Sequence, residues 1–331
     1  MICSSRSAPR ASSATRFRRR SGPSWTPSGR SSRPPCRRPE AVANNTRDLK
    51  RRIRSVKNTA QLTGAMKMVS AAKLRRAQEQ MMSSRPYAAA LERVIGDVAR
   101  RVSPELHPLL SGRELNTVDL VLIAGDKGLC GAFNANVIKA AEVARREHDA
   151  AGRRVEMTLI GKKAGEYYRR RPEIPVREFF ADAFREIDYT FAADLAGTLT
   201  ERFLAGETDG VFLVYNRFRT TISQIVTVTP IIPLQSLVGQ ANEEKGAVEY
   251  LYEPAAAELM RGLVPRFVSF QLYQAMLESV AAEHGARMAA MDNATRSAED
   301  MISSLTLKMN RARQAAITTE LIEVVSGAEA L

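Results

Sequence analysis

The stretch AGDKGLCGAFN, residues 124–134, places three glycines and a lysine between an apolar run, VDLVLI, and a segment that reads as a helix. Turns of this kind can cradle a phosphate, because backbone N–H groups converge at a helix start. A Walker loop needs Gly-Lys-Ser/Thr after a four-residue gap, with the lysine on phosphate and the hydroxyl on magnesium. Gly125 and Gly131 come near the outer spacing but are one residue too far apart, Ala132 and Phe133 follow, and the lysine is Lys127. A dinucleotide fingerprint needs GxGxxG, whereas Gly125, Gly128 and Gly131 stand three apart. The turn therefore reads as a tight strand-to-helix connection with glycines at positive φ.

Other reactive side chains are sparse. Cys130 could act as a nucleophile only beside a base, and the chain has three histidines, His107, His148 and His284. None has a recognisable setting, so Cys130 reads as a buried small hydrophobe. Three scattered histidines make no metal site, and no cofactor is expected. Acidic residues are plentiful on helical stretches, where charge is usually a solvated face.

The formal net charge is +13, but it is uneven. Residues 1–41 contain ten Arg, ten Ser, six Pro and a single acid, Glu40, so the rest is only mildly basic. That segment has no hydrophobic period to offset its ordering entropy and reads as a disordered extension, 1–44. It fits an organelle transit peptide, a nucleic-acid-binding tail, or translated upstream sequence from a misplaced start, with Val42 as the true one. The basic strip RDLKRRIRSVKNT lacks aromatics to stack bases, which argues against nucleic acid. Cysteine usage (Cys3, Cys36, Cys130) shows no disulfide framework, and no apolar run approaches the ~20 residues needed to span a bilayer. A soluble or membrane-peripheral protein is expected.

The elements that would hold these residues fall into three blocks. Residues 45–103 read as a long helix in which Leu49, Ile53, Val56 and Ala60 recur at four, three and four; beyond Ala60 no single seam is evident. Pro86 should kink or break it. Residues 254–331 read as a second long helix, entered near Pro265. Its three-four seam runs from Phe267 and Phe270 through His284, Met288, Met291, Thr295, Ala298, Ile302, Leu305, Met309, Ala312 and Ala316 to Thr319. Between them, 115–235 alternates strands and helices and ends in two strands that suggest an edge hairpin; 236–253 reads as a polar loop. The fold class expected is α/β: a Rossmann-like domain inserted between two long terminal helices that pair as an antiparallel coiled coil. Those helices are much longer than the inserted domain is wide, so a rod projects from a compact foot.

Several segments carry a resemblance. SVKNTAQLTGAMKMVSAAKLRRAQEQMMSSRPY (55–87), GDKGLCGAFN, YNRF, YLYEP and the whole of 278–331, with ITTELIEVVSGA inside it, are similar to landmarks of the gamma subunit of F-type ATP synthase. The resemblance covers roughly 45–331. It implies a central rotor shaft that carries torque from an ion-driven ring of c subunits to a head of three alpha and three beta subunits. The foot would lie beside epsilon, and the shaft itself would perform no catalysis. It implies a grip on beta through Arg313, Gln314 and Thr318, with Met66 and Lys67 on the facing segment of the other helix. It also implies contact with the c ring near Tyr250, Tyr252 and Glu253, and a peripheral place on the cytoplasmic face of a bacterial inner membrane. Chloroplast members carry a regulatory dithiol, for which Cys130 offers no partner. The rival readings are a Rossmann-type nucleotide enzyme with helical arms and a coiled-coil nucleic-acid binder.

Overall fold

The computed structural model describes residues 39–99, 108–184, 187–221, 223–234 and 256–329. Helix α1 spans Pro39–Ala99, six residues longer at its start than the sequence suggests. Strands and helices then alternate: β1 (Thr117–Ile123), α2 (Phe133–Ala150), β2 (Arg154–Ile160), α3 (Lys162–Tyr168), β3 (Val176–Phe180), α4 (Tyr189–Leu204), β4 (Gly210–Phe218) and β5 (Gln224–Ile232). The chain closes with α5, Ala256–Glu329. The Arg/Ser/Pro-rich residues 1–38 and the expected loop at 236–253 lie outside the described residues.

The sheet order is β3-β2-β1-β4-β5. β1 pairs in parallel with β2 and β4, and β2 with β3. β5 is antiparallel to β4 at the edge, the expected hairpin. β1 is apolar on both faces, and its alternation sorts the core into two layers. Val118, Leu120 and Leu122 pack with Val137, Ala141 and Tyr168 of α2 and α3. Val121 and Ile123 face α4, the end of α1 (Leu91, Ile95, Val98) and the start of α5 (Val264, Val268, Leu272). Asp119 breaks the apolar run on this second face. It accepts from Thr158 Oγ1 at 2.9 Å and Arg202 at 3.1 Å, so a buried carboxylate is paired rather than stranded.

The two terminal helices run antiparallel, as three pairs show: Tyr87 with Phe270, Lys67 with Asp292 and Thr63 with Thr295. On α5 the seam is borne out by burial. Beyond Ala298, residues Ile302, Leu305, Met309, Ala312, Ala316 and Thr319 are sheltered while most of their neighbours are exposed. On α1 the seam also continues past Ala60, through Thr63, Lys67, Ser70, Leu74, Ala77 and Met81. Hydroxyls and an ammonium at three of those positions hide it from a hydrophobicity pattern. Ser70 answers its own burial by donating to Met66 O at 2.8 Å.

Neither proline breaks its helix. α1 runs through Pro86 and α5 through Pro265. A proline removes one backbone donor, and the carbonyl it orphans lies four residues earlier. For Pro86 that residue is Met82, exposed at 62%, where water can take the bond.

Candidate functional site

In an open α/β sheet, ligands bind beyond the carboxyl ends of strands where the order reverses. Here that point lies between β1 and β4, and the glycine turn 124–134 forms its rim. The crevice is filled by α5. Ala282 packs with Cys130 and Phe133 of the turn and with Phe218 at the end of β4. A Cβ on Gly125 would stand 2.9 Å from the carboxylate of Glu283 and 3.2 Å from Asn134 Oδ1. Arg287 pairs with Glu283 and donates to Gly128 O at 3.3–3.4 Å. Both partners of this pair are less than a tenth exposed.

The turn's polar groups serve the protein itself. Gly125 N donates to Asn134 Oδ1 at 2.9 Å. The carboxylate of Asp126 takes the N–H groups of Lys162, Asp182 and Phe184 at 2.9, 3.1 and 3.2 Å. Gly125 N and the three N–H groups around Asp126 are thus committed to side chains of the turn itself. Positive φ was expected of the glycines; it occurs at Gly131 (59°) and also at Leu129 (62°), whereas Gly125 is required by the close approach of α5. Cys130 is 1% exposed, and burial raises its thiol pKa, which suits a packed hydrophobe and not a nucleophile. His284 faces a cleft of about 600 Å³ between α1, this turn and α5. Burial, aided by Arg287, Lys73 and Lys127, lowers its pKa to about 4. Among the described residues no cluster of His, Cys, Asp and Glu could hold a metal ion.

The shaft distributes the other residues of interest. Arg313, Gln314 and Thr318 are exposed, on the side of α5 away from its seam. Thr318 Oγ1 donates to Gln314 O at 2.9 Å within the helix. Met66 and Lys67 do not face them. The antiparallel register sets Lys67 against Asp292, at 2.6 Å. Arg313 is 21 residues further along α5 than Asp292, ~31 Å at 1.5 Å per residue. The expected juxtaposition is therefore corrected: these are two separate heights on one rod. Tyr250, Tyr252 and Glu253 lie outside the described residues. The tip of α5, 321–329, is exposed on every side and presents Leu321, Ile322, Val324 and Val325, each more than half exposed. No helix among the described residues is long and apolar enough to cross a membrane.

Sequence reasoning missed Glu283 and Arg287. Their i, i+4 spacing looks like any solvated pair on a helix. The clue available was Ala282, Gly285 and Ala286 around them, small residues that admit a close neighbour.

A two-helix rod rooted in an α/β foot, with the fold's ligand crevice filled by the rod itself, defines a mechanical component. The comparisons with known proteins agree. Residues 45–331 match the family described as ATP synthase. The chain is 46% identical over 288 residues to the ATP synthase gamma chain of Anaeromyxobacter sp. (strain Fw109-5), covering 86% of this chain and 98% of that one. It is 45% identical over 285 residues to the gamma chain of Moorella thermoacetica (strain ATCC 39073 / JCM 9320), with the same coverage. In fold it resembles a chain of the Euglena gracilis mitochondrial ATP synthase OSCP/F1/c-ring structure. There the TM-score is 0.61 at 19% identity, over 87% of this chain and 95% of that chain. A chain of the Tetrahymena thermophila central stalk/c-ring gives a TM-score of 0.52 at 24% identity, over 70% and 99%. The chain belongs to the ATP synthase gamma-chain family.

Proposed function

We propose that this chain is the central shaft of a rotary ATP synthase: a non-catalytic subunit that carries torque between an ion-driven c ring and a catalytic head of three alpha and three beta subunits. The observation that carries this reading is the rod itself. α1 and α5 pair antiparallel, both are rooted in the core of the foot, and the apolar tip of α5 is exposed from 321 to 329. A bare apolar tip suits a sleeve in which it turns without strong directional bonds. Exposed polar groups below it, Arg313, Gln314 and Thr318, suit a grip on beta. Met66 and Lys67 would meet the head at a second, lower height. The foot would stand on the c ring beside epsilon, with Tyr250, Tyr252 and Glu253 as its contacts. The whole would sit peripherally on the cytoplasmic face of a bacterial inner membrane.

The test is reconstitution. Co-expressed with alpha and beta, the full chain should purify in a complex of three, three and one that hydrolyses ATP. Joined to the membrane sector in vesicles, that complex should pump ions on ATP addition. A chain that purifies free of alpha and beta would overturn the reading.

A further inference from the structure

We infer that residues 282–287 of α5, clasped between the glycine turn and the β4–β5 turn, form the fixed joint through which torque passes between foot and shaft. This rests on the rotor reading above and assigns the joint to particular residues.

A rod that must turn its foot, or be turned by it, needs contacts that resist rotation about the rod's own axis. Apolar packing resists this poorly, because a smooth helix can slip by a fraction of a turn at low cost. Directional, buried contacts on opposite sides of one helix resist it well. Within six residues α5 has directional contacts on one side and a close backbone approach on another. On one side Glu283 stands in the space that a Cβ on Gly125 would need, and Arg287 ties Glu283 to Gly128 O. On another side Gly285 lets the carbonyl of Thr221 come so near that a Cβ there would stand 3.2 Å from it. Phe218, from β4, closes the gap against Ala282 and Ala286. The joint is therefore a helix held from two sides by turns belonging to the same sheet. Glycine at 125 and 285 is what lets both sides close.

Glu283 and Arg287 lie on the same helix, so their pairing turns with α5 and serves to hold both side chains in place. The stiffness comes from what they touch on the foot: Gly128 O, which accepts from Arg287, and Gly125, against which Glu283 is packed. Rotating α5 within the clasp must pull Arg287 from Gly128 O and drag Glu283 past the turn. The neighbouring cations on other elements, Lys127 of the turn and Lys73 of α1, surround the same cleft. Lys127 lends the Glu283 carboxylate some attraction, which Asp126 of the same turn opposes.

The experiment uses the complete complex in vesicles and reads ATP-driven ion pumping and ATP hydrolysis together. Three single variants are compared with the parent: Arg287→Gln, Arg287→Lys and Gly285→Ala. In complexes of normal subunit composition, hydrolysis should stay within about twofold of the parent. The pumping-to-hydrolysis ratio should fall about threefold or more for Arg287→Gln and Gly285→Ala, and less for Arg287→Lys, which keeps the charge. Lower complex yield with an unchanged ratio in the complexes that form would make the clasp a packing contact only and overturn the proposal. An unchanged ratio at normal yield would do the same. If the parent complex itself fails to pump, the rotor reading fails, and that failure is visible before any variant is read.

Discussion

Arg313 presents five donors in a planar fork on an exposed face of α5, with no acidic partner of its own among the described residues. Against a carboxylate or several carbonyls of beta it would become buried, and removing it would leave those groups unpaired, at about 1–3 kcal/mol each. Arg313→Ala should thus lower ATP synthesis more than uncoupled hydrolysis, since synthesis needs torque delivered under load. The readout is the ratio of the two rates at equal complex yield; an unchanged ratio would make Arg313 a solvated rim charge worth ~0–1 kcal/mol. His284 makes a different prediction. Its pKa is about 4 in the folded chain against 6.5 as the ordinary value. Between those two the unfolded chain holds more protons, so stability rises with pH and is lost as pH falls from about 6.5 towards 4. His284→Gln should flatten that slope in thermal unfolding midpoints measured across the window. The difference between parent and variant cancels the carboxylates, Glu283 included, whose burial raises its own pKa. Parallel curves would show that His284 carries no buried penalty.

The paired helices α1 and α5 were legible to different degrees, for a physical reason. A hydrophobic period reports a seam only where apolar side chains line it. On α5, Ile302, Leu305, Met309 and Ala312 announce it. On α1, Thr63, Lys67 and Ser70 occupy seam positions and satisfy their polar atoms locally or across the pair, so the signal vanishes while the packing persists. The sheet was readable because its strands are continuous apolar runs between turns. The register of α1 on α5 was not, since it depends on contacts 225 to 232 residues apart in the chain. Nothing in either helix's own sequence tells that Lys67 meets Asp292 and not a residue near Arg313. The register has a chemical lock: Thr63 Oγ1 and Thr295 Oγ1 share a hydrogen bond of 2.7 Å, and the Lys67 ammonium holds the Asp292 carboxyl below its usual pKa. Lys67→Glu should lower the thermal midpoint of the shaft, and Lys67→Glu with Asp292→Lys should recover most of the loss. Failure of the reversal to recover it would show that the pair sets no register.

At the scale of the whole molecule, the crevice where an open α/β sheet would take a nucleotide is filled by the chain's own C-terminal helix. We expect the purified chain to show no stoichiometric ATP binding at micromolar concentration in equilibrium dialysis. Binding there would contradict the plugged crevice directly. Residues 1–41 have a composition that cannot build a core. A chain beginning at Val42 should assemble and support ATP synthesis at the parent's rate; loss of assembly would assign the segment a structural part.

Unequal burial along the rod also bears on its elasticity. Through most of its length two helices share any applied twist, and stiffnesses that act side by side add. Past Thr319, α5 stands by itself, with every residue from 321 to 329 exposed. Torque is carried only between the place where it enters and the place where it leaves. The tip lies beyond the grip proposed at Arg313, Gln314 and Thr318, so it bears no more than the drag of its sleeve, and the load falls on the paired length below, which turns almost as a rigid body.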